Sequence, residues 1–100
     1  MPVASFGSPN YWLTVVLFNA ELFGAGREEV RLTLEKSNIE ARPVWKPLHM
    51  QPVFSGCPVR GGRVSEDLFA RGLCLPSGNQ MINEDLGRIV SIIKACYKGN

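Results

Sequence analysis

The apolar residues of this chain follow different periods in different stretches. Across residues 11–18 both alternating sets are mostly apolar: Tyr11, Leu13, Val15 and Leu17 on one side, Trp12, Val16 and Phe18 on the other. Such a run, rich in aromatic and β-branched residues, predicts a strand covered on both faces and therefore a central one. Gly24-Ala25-Gly26 then interrupts the chain, and a helix is predicted over residues 27–37. Val30 and Leu34 share one of its faces. Glu28 and Glu29 sit in its first turn and Lys36 in its last, which complements the helix dipole. Asn38 reads as the helix stop, and residues 39–45 as extended. Residues 55–63, with Gly56, Pro58, Gly61 and Gly62, read as an irregular connection. Ser65 is placed as the N-cap of a short helix, with Val64 and Phe69 as a hydrophobic staple around it. Gly72 ends that helix, and Leu73-Cys74-Leu75 is a short strand stopped by Pro76-Ser77-Gly78. A last helix starts near Asn83. Its buried face is predicted to be Leu86, Ile89, Val90 and Ile93. Gly87 weakens it by about 1 kcal/mol relative to alanine, and Gly99 marks its end.

Strand, helix, strand, loop, helix, strand, helix is the order of an α/β (α+β) domain. It predicts a small mixed sheet with helices mainly on one face. Residues 1–9, with Pro2, Ser5, Gly7, Ser8 and Pro9, read as a flexible lead-in or linker remnant, and residues 10–100 as the folded domain.

Composition narrows the function classes. One hundred residues, 45% hydrophobic and 20% charged, make one ordinary globular domain with a modest core. A net charge of +2, with scattered lysines and arginines, leaves no footprint for nucleic acid. Cys57, Cys74 and Cys96 are widely spaced, form no CxxC pair and make no zinc set with His49. They read as reduced thiols of a cytoplasmic protein. The start has no basic region of a signal peptide, and the longest apolar run is far below the ~20 residues that span a bilayer.

The densest candidate chemistry lies in residues 41–54, Ala-Arg-Pro-Val-Trp-Lys-Pro-Leu-His-Met-Gln-Pro-Val-Phe. Pro43, Pro47 and Pro52 exclude a helix interior and push their predecessors toward extended geometry. The same stretch holds Arg42, Trp45, Lys46 and the single histidine, His49. Arginine offers a bidentate fork to phosphate and lysine a point charge; both also suit a solvated loop. Trp45 suits stacking on a sugar or nucleobase, or pinning the loop. His49 suits a substrate contact, or a bond to backbone. Other motifs are weak. Gly24-x-Gly26 has Glu28 and Glu29 where a phosphate would sit and lacks a third glycine. Ser91-Ile92-Ile93-Lys94 falls late in an amphipathic helix with no partner motif. Glu66-Asp67 and Glu84-Asp85 are accounted for by the helix dipole.

The loop resembles one in the DegT/DnrJ/EryC1/StrS family of pyridoxal-phosphate sugar aminotransferases. So do Asn10-Tyr11-Trp12-Leu13-Thr14, Asn38-Ile39-Glu40-Ala41-Arg42-Pro43, Glu66-Asp67-Leu68-Phe69, Gly72-Leu73-Cys74-Leu75-Pro76-Ser77-Gly78 and Asn83-Glu84-Asp85-Leu86. The resemblance runs in order over roughly residues 10–96 and covers that family's C-terminal small domain. It is nearest the branch acting on UDP-linked 4-keto-6-deoxy amino sugars. Ile82, where the family more often has Thr or Ser, and Gly87 depart from the pattern.

The resemblance implies the small domain of a fold-type I enzyme whose N-terminal domain carries the Schiff-base lysine and most cofactor contacts. The parent would be a homodimer that uses pyridoxal 5'-phosphate, with glutamate as amino donor, to aminate nucleotide-linked 4-keto sugars. By family position none of Lys36, Lys46, Lys94 and Lys98 is the catalytic lysine, so the chain alone is not expected to transaminate or to hold the cofactor. Arg42, Trp45, Lys46 and His49 are the implied substrate-binding residues, helping to close the sugar-nucleotide site. The competing expectation is a free-standing α/β ligand-binding or interaction module without enzyme activity.

Overall fold

The computed structural model describes residues 2–99. Residues 2–9 are exposed and form no helix or strand, and Met1 and Asn100, the outer ends of the two expected segments, lie outside the described residues. The elements are β1 (Thr14–Leu17), α1 (Ala20–Phe23), α2 (Arg27–Lys36), β2 (Arg42–Pro43), α3 (Arg63–Arg71), β3 (Gly72–Leu75) and α4 (Asn83–Ala95), with 3-10 turns at Leu48–Met50 and Pro52–Phe54. This is the expected α/β architecture. The sheet has three strands in the order β1-β3-β2, antiparallel at both pairings.

The sheet corrects two expectations: both of its pairings are antiparallel where a mixed sheet was expected, because each pair of neighbouring strands runs in opposite directions, and its central strand is not the predicted one. β1 is an edge strand, and β3 is the central one. Apolar residues on both alternating sets report what covers the faces of a strand, not how many strands flank it. Here β1 is only partly buried, whereas Gly72, Leu73 and Cys74 of β3 are buried in succession.

Register sorts the sheet into two faces. Val16 lies opposite Leu73, and Val15 opposite Cys74, which also faces Arg42 on β2. Side chains alternate along a strand, so Val16, Leu73 and Leu75 share one face. That face meets the helices: Leu73 packs with Val30 and Leu34 of α2 and Ile89 of α4, with Phe18, Ala25, Ile39, Ala41 and Cys96 completing the core. Val15, Cys74 and Arg42 belong to the opposite face, where the candidate site lies.

α2 runs as predicted and ends at Asn38, whose φ of 58° is the left-handed stop. The Ile39 amide donates to Leu34 O and the Asn38 amide to Glu35 O, closing the helix end. α4 also starts as predicted, but its buried face is turned. Ile89, Ile92, Ile93 and Cys96 pack inward, while Leu86 and Val90 are exposed. Both sets satisfy helical spacing, so periodicity alone does not choose between them.

α1 was not expected. Its signal is short: Asn19 accepts from the Glu21 and Leu22 amides, and Gly24 ends the turn at φ 88°. α3 begins at Arg63, before Ser65, with left-handed Gly62 as its N-cap. Ser65 therefore caps nothing; its hydroxyl donates to Gly62 O at 3.0 Å. Val64 is exposed, so the proposed staple with Phe69 does not form. Gly72 ends α3 as expected, and a Cβ there would lie 2.3 Å from Leu68 O and 2.5 Å from Val44 Cγ2.

Candidate functional site

The groove on the second face of the sheet is built from the strand ends and the loop that follows β2. Pro43 and Pro47 hold this loop extended after the two-residue strand. Val44 continues the pairing, its amide donating to Gly72 O at 3.3 Å. Gln51 Nε2 donates to Lys46 O at 3.1 Å and closes the loop on itself. Arg42, Pro43, Val44, Trp45 and Lys46 then form one wall of a cavity of about 470 Å³, with Trp12 and Leu13 from the lead into β1, Phe69 from α3 and Cys74 as floor.

The indoles dominate this groove. Trp12 and Trp45 have ring centroids 5.9 Å apart and are tilted by 49°. Trp45 is 65% exposed and Trp12 67%, so their faces are only partly used by each other. Side by side, the two exposed indoles make an apolar patch of the kind found at binding sites. Arg42 and Lys46 put positive charge on the rim. Arg42 is paired with Glu40, Nη2 to Oε1 at 2.6 Å, with both side chains largely exposed. Such a pair is weak and exchangeable.

His49 does not line this cavity. It sits in the first 3-10 turn, and its Nε2 lies 2.6 Å from Oε1 of Glu66 in α3. The structure thus brings Arg42, Trp45 and Lys46 together and places His49 at a latch between the loop and α3. Trp12, Phe69 and Glu66 were absent from the predicted site. No local spacing points to them, because they reach it through strand pairing and the packing of α3 on β3. Glu66 and Asp67 also do more than answer the helix dipole. Asp67 Oδ2 bonds Arg71 Nη2 at 2.6 Å, and that bond holds the Asp67 carboxyl below its ordinary range. Asp85 accepts from the Ile82 amide at 3.0 Å.

Two further cavities flank Arg42. One, of about 490 Å³, lies toward α4, and in it Ser77 Oγ donates to Trp12 O and Asp85 accepts from the Ile82 amide. The other contains Arg27, whose guanidinium stacks on Phe69 at 4.8 Å, beside Arg31, which bridges Glu28 and Glu35. Neither is lined by a tryptophan.

Lys36, Lys46, Lys94 and Lys98 are all exposed. Lys98 is paired with Glu29, and that hydrogen bond raises its pKa. A lysine that forms a Schiff base needs the opposite, a desolvated setting that favours the neutral amine. Among the described residues no group of three or more His, Cys, Asp and Glu is placed to hold a metal ion, and no helix is long and apolar enough to cross a membrane.

Comparison with known proteins supplies the family. Residues 3–94 match the DegT/DnrJ/EryC1/StrS aminotransferase family. EpsN of Bacillus subtilis (strain 168), classed among the pyridoxal phosphate-dependent aminotransferases, is 40% identical over 97 residues, covering 93% of this chain and 24% of EpsN. The GDP-perosamine synthase of Escherichia coli O157:H7 is 34% identical over 87 residues, covering 87% of this chain and 23% of the synthase. The fold agrees. The aminotransferase TlmJ of Streptoalloteichus hindustanus superposes with a TM-score of 0.77 at 18% identity, over 96% of this chain and 24% of TlmJ. PseC of Helicobacter pylori, an aminotransferase involved in the biosynthesis of pseudoaminic acid, gives 0.72 at 17% identity, over 86% of this chain and 23% of PseC. The chain thus spans about a quarter of the length of the curated relatives it matches. On the match of residues 3–94, this chain belongs to the DegT/DnrJ/EryC1/StrS aminotransferase family.

Proposed function

We propose that this chain is the C-terminal small domain of a pyridoxal-phosphate aminotransferase for nucleotide-linked 4-keto sugars, and that it binds and orients the sugar nucleotide. The observation that carries this reading is the groove: two partly free indole faces, Trp12 and Trp45, with Arg42 and Lys46 on its rim. Indole faces suit a nucleobase or the apolar face of a hexose, and the two cations suit a diphosphate. His49 lies outside the groove at the end of the same loop, and in this reading it makes a polar contact to the part of the sugar that extends beyond the groove toward α3.

The residues present do not form a cofactor site by themselves. Every lysine is exposed, and Lys98 is tied to a carboxylate. In this reading the cofactor, the Schiff-base lysine and the amino-donor site are carried by the remainder of a longer polypeptide that acts as a homodimer in the cytoplasm. In the relatives this chain aligns with about a quarter of the protein, which leaves room for that remainder. The role of the small domain is to close over the nucleotide sugar and exclude water around it.

Both tryptophans of the chain line the groove, so tryptophan fluorescence, excited at wavelengths where the two tyrosines do not absorb, reports on the groove. Titration with UDP-glucose, used as a nucleotide-sugar probe, should change that fluorescence saturably. Arg42→Gln should weaken the binding and reduce its salt dependence. A fluorescence signal unmoved by the probe refutes the groove reading.

A further inference from the structure

We propose that Glu66 is a positioning residue: it holds His49 in the Nε2–H tautomer and leaves Nδ1 as a bare acceptor for a hydroxyl of the bound sugar. The sugar contact rests on the groove reading above; the tautomer does not.

The geometry begins with the 2.6 Å contact between His49 Nε2 and Glu66 Oε1. An ionised carboxylate has no proton to give, so Nε2 must be the donor. A neutral imidazole carries a single ring proton, and placing it on Nε2 leaves a lone pair on Nδ1. Among the described residues Nδ1 has no hydrogen-bond partner. Nor is it among the buried unpartnered atoms, although the His49 side chain is only 19% exposed. The ring is thus held inside the latch while the acceptor nitrogen still meets solvent.

Gly62 completes the latch. It starts α3 at φ +103°, a conformation that disfavours a side chain. A Cβ there would stand 2.9 Å from Cε1, 3.3 Å from Nε2 and 3.5 Å from Nδ1 of His49. The imidazole therefore rests directly on the glycine, with Glu66 one turn further along the same helix. The Glu66 amide donates to Gly62 O at 2.9 Å, so ring support and ring partner are fixed to each other by the first turn of α3. Two independent contacts, one steric and one polar, set the orientation of a single side chain on an otherwise irregular loop. That is the arrangement expected where a ring nitrogen must be presented in one protonation state.

His49 is the single histidine, so its ring nitrogens are unambiguous in a long-range ¹H–¹⁵N correlation spectrum of the ¹⁵N-labelled chain. At pH about 8.5, above the ordinary imidazole range, the wild type should show a protonated Nε2 and a bare Nδ1. The Nε2 proton should be protected from solvent exchange. Glu66→Ala should lose the protection, and the two nitrogen shifts should move toward each other. A proton on Nδ1 in the wild type, or a Glu66→Ala spectrum like the wild type, overturns the proposal. UDP-glucose should then shift Nδ1 in the wild type and not in Glu66→Ala. A tryptophan response with Nδ1 unmoved overturns the sugar contact and leaves the groove standing. No tryptophan response removes the groove reading, while the tautomer still decides the role of Glu66.

Discussion

Trp12 and Trp45, from opposite edges of the sheet, meet across the central strand with their rings 5.9 Å apart and tilted by 49°. Each indole is carried by a segment that leads into or out of an edge strand paired to β3. The aromatic pair is therefore a consequence of sheet pairing and not of any local motif.

Removing either ring should be felt both by the ligand and by the pair. Trp45→Ala should weaken UDP-glucose binding by roughly 5- to 150-fold, the range for losing about 1–3 kcal/mol of stacking on one base. Indoles this close couple their transitions, so the same variant should abolish an exciton feature in circular dichroism. A couplet that survives in Trp45→Ala would show that the rings do not pair in solution.

Helix α4 carries half of a capping box. Asp85 accepts from the Ile82 amide, but Ile82 has no side-chain acceptor to return the bond. Ile82 is 56% exposed, so little core packing is lost when it is replaced. Ile82→Thr should stabilise the chain by about 1 kcal/mol, raising Tm by roughly 4–8 °C for a domain of this size. An unchanged or lowered melting temperature would show that the helix start is not limited by its cap.

The cysteines should differ sharply in reactivity. Cys57 is exposed, whereas Cys74 and Cys96 are buried. Burial also pushes the Cys74 thiol up, away from the reactive thiolate. Brief alkylation of the native chain followed by peptide mapping should label Cys57 first, and unfolding should be required for Cys74. Equal labelling of Cys74 in the native chain would place it outside the floor of the groove.

Acid should destabilise the chain through specific pairs. The hydrogen bond from Arg71 lowers the Asp67 carboxyl, and that from Arg31 lowers Glu28. Folded-state values below the unfolded ones mean a contribution present above the ordinary carboxylate range and lost as pH falls through the lowered values. Both pairs are solvated, so each effect is small. Arg71→Gln should shrink the difference in urea midpoint between pH about 6 and about 3. An undiminished difference would assign the acid sensitivity elsewhere.

Several elements were legible in the residues themselves. The bounds of α2, its Asn38 stop, the Gly72 break and the start of α4 all follow from caps, charges and spacing that act within one or two turns. Arg42, Trp45 and Lys46 were legible as a group because prolines confine them to one short extended loop. The resemblance of residues 10–96 to a known family named the fold, and the comparison bore it out.

Other features needed the tertiary structure. Whether the strand at residues 14–17 is central or at an edge depends on which segments pair with it, and pairing joins residues far apart in sequence. The buried face of α4 was ambiguous because two overlapping sets fit one helical period, and only contact with α2 and β3 selected Ile89, Ile92, Ile93 and Cys96. Trp12 and Glu66 belong with the loop residues for the same reason: strand register carries one and helix packing the other. Local sequence determines where the backbone turns and stops, since those forces act over a few residues. Which side chains finally meet is decided by burial and pairing summed over the whole fold.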